Sequence, residues 1–220
     1  RNAMLAKGLD LCNLIPVPSM GYLLEEFFRR AMDRRMEKDE YRILKDLIDG
    51  NYNLGDYPKQ VRDTVALMGE PFIENVRKYY DEIMARVAEL SRRALFEKGL
   101  NLIVFPEGTR SLTLGGGKTG LAQLALHTKK KVVPVGCNNS DELYRGSLPF
   151  ARSGRIVYRI GEPLTHDNQL KECQIEEDFR PLSRDSQQRY QPQFEQATKI
   201  IMERIDQLLD SRYRISTSPA

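Results

Sequence analysis

Residues 105–111, with the sequence FPEGTRS, hold the side chains of this chain best suited to chemistry. Glu107 offers a carboxylate that can accept hydrogen bonds from substrate hydroxyls. Arg110 offers a planar fork that can hold a phosphate through two parallel hydrogen bonds. The remaining polar or flexible positions are Gly108, which lets the backbone approach a ligand closely, and the hydroxyl residues Thr109 and Ser111. A carboxylate, a glycine and an arginine within four residues predict a site for a phosphate-bearing polyol.

The loop follows a short apolar run, residues 102–105 (LIVF), which is typical of a buried parallel strand. Ligand sites of open α/β sheets gather where strands end and loops begin. We therefore expect the loop to lie at the edge of a sheet, with its polar side chains presented to a ligand.

The order of the predicted elements favours an α/β fold with a mainly parallel sheet flanked by helices. Helical spacing begins after Ser19, which is the predicted N-cap, and continues over about residues 39–49. It resumes over a long stretch that Pro71 opens and Gly99 ends. Further strands are predicted at 132–135 and 155–160, with a short helix near 121–125 and an amphipathic helix over about 194–209.

The motifs that follow the loop occur in a family-specific order. They are GLAQLAL at 120–126, VVPVG at 132–136, NSDEL at 139–143 and RIGEPL at 159–164. Together with FPEGTRS, they resemble the glycerol-3-phosphate and lysophosphatidate acyltransferase family. The resemblance implies transfer of a fatty acyl group from acyl-CoA or acyl-carrier protein to a hydroxyl of a glycerol-phosphate acceptor. It also implies that residues 107–111 hold the acceptor and that Pro134 shapes the site.

The same resemblance requires a His-x-x-x-x-Asp box, whose histidine removes the proton of the acceptor hydroxyl. Neither histidine fits, because the fifth residue after His127 is Val132 and the fifth after His166 is Lys171. We therefore expect the box upstream of Arg1, no catalytic residue within this numbering, and a single acyltransferase-like domain over 1–220 that is incomplete at its N-terminus. The alternative is an inactive family member that binds a lipid phosphate.

Arg34 is a second candidate phosphate ligand, because residues 31–34 (AMDR) resemble the Asp-Arg block of the family. An exposed helical arginine explains the same residue equally well, and Arg35 is its obvious substitute. Residues 36–84 are predicted to form a helical insertion. An apolar groove for an acyl chain, a dock for a carrier protein and a structural brace all remain open as its role.

Composition narrows the class of protein. A formal charge of +3 and a pI near 8.7 are mildly basic, which disfavours a dedicated nucleic-acid binder. The three cysteines have no metal-like spacing and the chain has two histidines, so a metal site is not expected. The resemblance implies a reaction that needs no bound cofactor, with acyl-CoA or acyl-carrier protein as a substrate. The chain has no run of roughly 20 apolar residues that could span a bilayer.

Because one substrate or product would be a lipid, we expect peripheral attachment at the cytoplasmic face of a membrane. The lysine run 129–131 is either a solvated helix end or a group that attracts anionic lipid headgroups or an acidic acyl carrier protein. The segment 115–119 (GGGKT) lacks the first glycine of a nucleotide-binding P-loop, since that position is Leu112. We expect it instead to form a flexible rim of the loop that begins at Phe105.

Overall fold

The computed structural model describes residues 14–15, 17–49, 58–109, 111–143 and 152–215. The chain divides into two compact units, Arg1–Arg93 and Ala94–Ala220. Each unit contains a buried apolar cluster of its own. The prediction of one domain with an insertion at 36–84 stays a prediction.

The first unit is helical. It contains α1 (Met20–Met32), α2 (Lys38–Asp49) and most of α3 (Lys59–Phe96). The predicted N-cap of α1 is confirmed, because the Ser19 hydroxyl accepts a hydrogen bond from the Tyr22 amide at 3.1 Å. The core of this unit consists of apolar side chains from all three helices, namely Leu24, Phe28, Ile43, Leu44, Ile48, Val65, Met68, Ile73 and Val76.

Pro71 lies inside α3, so the prediction that it begins a helix is wrong. A proline inside a helix removes one backbone hydrogen bond and crowds the preceding turn, at a cost of about 3 kcal/mol. Apolar residues on both sides of Pro71 are buried in the same core, including Met68 and Ile73. We infer that this shared burial keeps the helix continuous through the proline.

The predicted end of α3 is confirmed at Gly99. The helix stops at Phe96, and Gly99 has a positive φ of 61° that a residue with a side chain rarely adopts. The amide of Leu100 then donates to the carbonyl of Ala94 at 2.8 Å, which satisfies one of the last carbonyls of the helix.

The described residues of the second unit form helices and two strands. Its elements are α4 (Gly120–Thr128), β1 (Val135–Asn138), α5 (Ser140–Leu143), β2 (Val157–Ile160), α6 (Arg184–Arg189) and α7 (Gln191–Gln207). Two 3-10 turns, Lys171–Cys173 and Ser211–Tyr213, follow β2 and α7 respectively.

The two strands pair antiparallel, with Val135 opposite Ile160 and Asn138 opposite Val157. An isolated antiparallel bridge between Val132 and Leu164 extends the pairing. The predicted mainly parallel sheet is therefore not found among the described residues. A parallel pair would require a long helical crossover between the two strands, whereas an antiparallel pair does not.

Residues 102–105 are not a strand, and they are not buried. Ile103 is 86% exposed and Phe105 is 80% exposed, so the prediction of a buried strand here is wrong for this structure. A strand with apolar side chains on both faces needs cover on both faces. The described part of the chain does not supply that cover, and the run lies at the surface.

The core of the second unit forms where α4 packs against α7. Phe194, Ala197 and Ile201 of α7 lie in one buried cluster with Ala122 and Leu126 of α4. Beyond the end of α7, Leu208 lies so close to β1 that a Cβ on Gly136 would stand 2.7 Å from its backbone oxygen. A glycine is required there because the two backbones approach so closely.

None of the helices described is both long enough and apolar enough to cross a membrane.

Candidate functional site

The predicted acceptor loop is closed at its base by the backbone. The Lys118 amide donates to the Pro106 carbonyl at 2.7 Å, which brings the two ends of the loop together. A tight turn opens the loop, with the Gly108 amide donating to the Phe105 carbonyl at 3.1 Å. Gly108 has a φ of 69°, a conformation that favours glycine. The turn itself therefore requires a glycine here, whether or not a ligand approaches the backbone.

Glu107 braces the loop from within. Its Oε2 atom accepts hydrogen bonds from the Ser111 hydroxyl and from the Gly115 amide, both at 2.8 Å. Bonds to an ionised carboxylate are stronger than those between neutral groups. The sequence predicts that Glu107 receives substrate hydroxyls and that Ser111 contacts the acceptor. The structure shows both side chains engaged in fixing the shape of the loop.

The tip of the loop faces solvent. Gly108, Thr109 and Ser111 are exposed, whereas Glu107 is partly buried below them. Arg110, the predicted phosphate ligand, lies outside the described residues. The described residues of the predicted acceptor loop therefore combine a hydrogen-bonded, partly buried carboxylate with an exposed backbone turn.

The second half of the loop is packed. A Cβ on Gly117 would lie 2.8 Å from the Met202 side chain and 2.9 Å from that of Thr198. Lys118 and Pro106 lie with these α7 residues around a shallow depression at the base of the loop. Part of the glycine run is thus a close-packing device, where sequence reasoning suggested only a flexible rim.

A contact that sequence reasoning missed holds the far side of the loop. The Leu114 amide donates to the carbonyl of Tyr213 at 2.8 Å. Nothing in the local sequence predicts this bond, because the two residues are far apart in the chain and the acceptor is a backbone atom.

Arg34, the second candidate phosphate ligand, is paired with a carboxylate of its own unit. Its two terminal nitrogens donate to the two oxygens of Glu40 at 2.9 and 2.5 Å, and its guanidinium lies 4.9 Å from the centre of the Phe28 ring. Glu40 is only 4% exposed. The hydrogen bonds from Arg34 hold the pKa of Glu40 below its ordinary value. The guanidinium is thus occupied by a structural ion pair, and its phosphate role stays a prediction.

Neither histidine forms an arrangement suited to a catalytic base. His127 packs edge-on against Phe179, with ring centres 5.3 Å apart, and its Nε2 atom lies 3.9 Å from an oxygen of Asp178. The Nδ1 atom of His166 lies 3.0 Å from the side-chain amide of Gln174 and 3.6 Å from an oxygen of Asp167. Both distances to a carboxylate exceed hydrogen-bond distance, so neither carboxylate orients its histidine as a catalytic base requires.

No group of three or more histidine, cysteine, aspartate or glutamate side chains within the described ranges could hold a metal ion.

One stretch of the chain is similar to a known protein family. Residues 50–138 match the model of the family described as Acyltransferase. This stretch contains the braced loop, α4 and β1, and it also takes in α3, so it overlaps the segment that the sequence predicts as an insertion.

A curated relative matches part of the chain. A 1-acyl-sn-glycerol-3-phosphate acyltransferase of Cocos nucifera is 35% identical over 78 residues, which is 34% of this chain and 25% of the relative. The chain thus spans about a quarter of the length of that relative. No solved structure matches.

Proposed function

We propose that this protein transfers a fatty acyl group from a thioester to a hydroxyl of glycerol 3-phosphate or lysophosphatidate in phospholipid synthesis. The donor is acyl-CoA or acyl-carrier protein, and the carbonyl carbon of the thioester is attacked by the acceptor oxygen while the thiol leaves. The observation that supports the proposal best is the braced loop at 105–118, which lies within the acyltransferase match.

In this proposal, the loop holds the phosphate end of the acceptor. Arg110 supplies the charged fork, and the exposed backbone turn at Gly108 and Thr109 lets the acceptor approach closely. Glu107 fixes the distance between the two halves of the loop through Ser111 and Gly115. A polyol phosphate needs several donors in fixed positions, and a pre-shaped loop lowers the entropy cost of binding.

Deprotonation of the acceptor hydroxyl requires a base that the described residues do not supply. We propose that a His-x-x-x-x-Asp box elsewhere in the natural protein supplies it, since the resemblance implies such a box. Work at the cytoplasmic face of a membrane, with peripheral attachment, is part of the same proposal because the acylated product is a lipid.

The alternative function is binding of a lipid phosphate without turnover. The features that support it are the same braced loop and the absence of a suitable histidine–carboxylate pair among the described residues. The two functions share the ligand and differ in the chemistry, so only turnover separates them.

The natural full-length protein should be incubated with radiolabelled acyl-CoA or acyl-carrier protein and with glycerol 3-phosphate or lysophosphatidate. Binding of unlabelled glycerol 3-phosphate is measured in parallel by calorimetry. Acylated product that is lost in Arg110→Ala supports the enzyme. Binding without product supports the alternative, and neither binding nor product overturns both.

A further inference from the structure

The 3-10 turn Ser211–Tyr213 connects two parts of the second unit that lie far apart in sequence. Tyr213 is only 8% exposed. Its backbone carbonyl accepts from the Leu114 amide of the loop at 2.8 Å. Its hydroxyl donates to Asp141 at 2.6 Å and accepts from the Asn139 amide at 3.1 Å. One residue therefore contacts both the loop and the turn that follows β1.

Arg212 fixes the same turn from the other side. One of its terminal nitrogens donates to Asn139 Oδ1 and to Glu142 Oε1, each at 2.6 Å. Its guanidinium also stacks over the Tyr213 ring, 4.6 Å from the ring centre. Asn139 has a positive φ of 68°, so this arrangement holds an unusual backbone conformation in place.

The hydroxyl bond has a stable charge state near neutral pH. The Tyr213 hydroxyl holds the pKa of Asp141 below its ordinary value, and burial raises the pKa of Tyr213. The pair is therefore a phenol that donates to a carboxylate.

The loop is gripped at two adjacent amides from two different directions. The Gly115 amide donates to Glu107 within the loop, and the Leu114 amide donates to Tyr213 outside it. The first bond sets the width of the loop. The second attaches the loop to Tyr213, in the 3-10 turn Ser211–Tyr213. Because Asp141 and Arg212 hold Tyr213 in place, movement of this 3-10 turn is transmitted to the loop.

We propose that Tyr213, held by Asp141 and Arg212, is a positioning residue for the 105–118 loop, so that binding of a phosphate-bearing acceptor depends on the 3-10 turn Ser211–Tyr213. The choice of a phosphate-bearing acceptor as the ligand rests on the proposed function, whereas the contact between Tyr213 and the loop does not.

The test removes only the hydroxyl, with Tyr213→Phe in the full chain. Tyr22→Phe is the matched control, because that tyrosine is 54% exposed on α1 in the other unit. Arg212→Gln is the second variant, which leaves Tyr213 intact. Amide hydrogen exchange over residues 111–117 is followed by mass spectrometry, and binding of glycerol 3-phosphate is followed by calorimetry. Circular dichroism checks that each variant is folded.

We expect Tyr213→Phe to speed exchange at Leu114 and Gly115 about tenfold and to weaken glycerol 3-phosphate binding severalfold. Arg212→Gln should act in the same direction, and Tyr22→Phe should change neither. Unchanged exchange in both folded variants overturns the proposal. Faster exchange with unchanged affinity overturns the dependence of binding on the turn. If the wild-type protein binds no glycerol 3-phosphate, that acceptor is excluded from the proposed function, and the exchange rates alone decide whether the turn positions the loop.

Discussion

At the scale of single residues, the side chain of Glu107 stabilises the loop through hydrogen bonds that involve no ligand. Its Oε2 atom accepts from Ser111 and Gly115, and it lies under an exposed turn. The type and position of this residue could be predicted from FPEGTRS as part of a site. Its bonding partners could not, because Gly115 comes within reach only after the loop has closed between Pro106 and Lys118.

Glu107→Ala should therefore weaken binding of glycerol 3-phosphate by about tenfold to a hundredfold. The reason is the loss of two bonds to a charged group, each with a net contribution of about 1.5–3 kcal/mol, only part of which reaches the ligand. Glu107→Gln keeps one oxygen acceptor and should show a smaller loss. Calorimetry measures both, with the exposed Glu162→Ala as the control. Equal affinity in wild type and Glu107→Ala would contradict the assigned brace.

The Arg34–Glu40 pair predicts an effect on stability. Arg34→Met should lower the free energy of unfolding by about 1–3 kcal/mol, because it leaves the buried Glu40 carboxylate without its partner. The lower part of that range allows for the partial exposure of the Arg34 side chain. Urea denaturation monitored by circular dichroism gives the value. Arg35→Met, an exposed neighbour, is the matched control and should have little effect.

The same variant has a pH signature. The pKa of Glu40 is lowered in the folded chain from its ordinary value of 4.5. The stabilisation from the pair is therefore fully present above that value and is lost as the pH falls through the folded pKa. The difference in stability between wild type and Arg34→Met should shrink under these acidic conditions. A difference that stays constant down to strongly acidic pH would show that the pair does not cause it.

At the scale of elements, local patterns predicted the helices better than the sheet. Ser19, the stop near Gly99 and the helices α4 and α7 follow from capping residues and helical spacing, which depend on neighbours in sequence. Strand pairing depends on residues far apart. The direction of β2 against β1 and the exposure of residues 102–105 therefore could not be obtained from apolar runs alone.

Pro71 offers a test of the continuous helix. Pro71→Ala should raise the free energy of unfolding by about 1–2 kcal/mol, because it restores a backbone bond while the unfolded chain gains some entropy. Asn75→Ala, one turn later and also exposed, changes helix propensity alone and should add only a few tenths of a kcal/mol. Thermal and urea unfolding compare them. A loss of stability in Pro71→Ala would favour a separate helix that begins at the proline.

At the scale of the whole molecule, the described residues form one apolar core in each compact unit. The sequence predicts a single domain, and a pair of reciprocal variants can test that prediction. Leu24→Ala opens a cavity in the first core and Leu164→Ala opens one in the second; both residues are almost fully buried. Each change should cost about 2–5 kcal/mol within its own unit.

Hydrogen exchange followed by mass spectrometry then shows how far each loss spreads. With separate cores, Leu24→Ala should speed exchange mainly in α1 and α2, and Leu164→Ala mainly in α4 and α7. Equal acceleration in both units by either variant would show that the chain unfolds as one cooperative domain.

The bond between Leu114 and Tyr213 also has a consequence for the timing of synthesis. The ribosome makes the loop roughly 100 residues before it makes Tyr213, which at about 5–20 residues per second is a delay of about 5–20 s. During that interval, the Glu107 brace can form, but the outer attachment cannot. A nascent chain that stalls before Tyr213 would thus contain the whole FPEGTRS motif, in a loop that lacks its hydrogen bond from Leu114 to Tyr213.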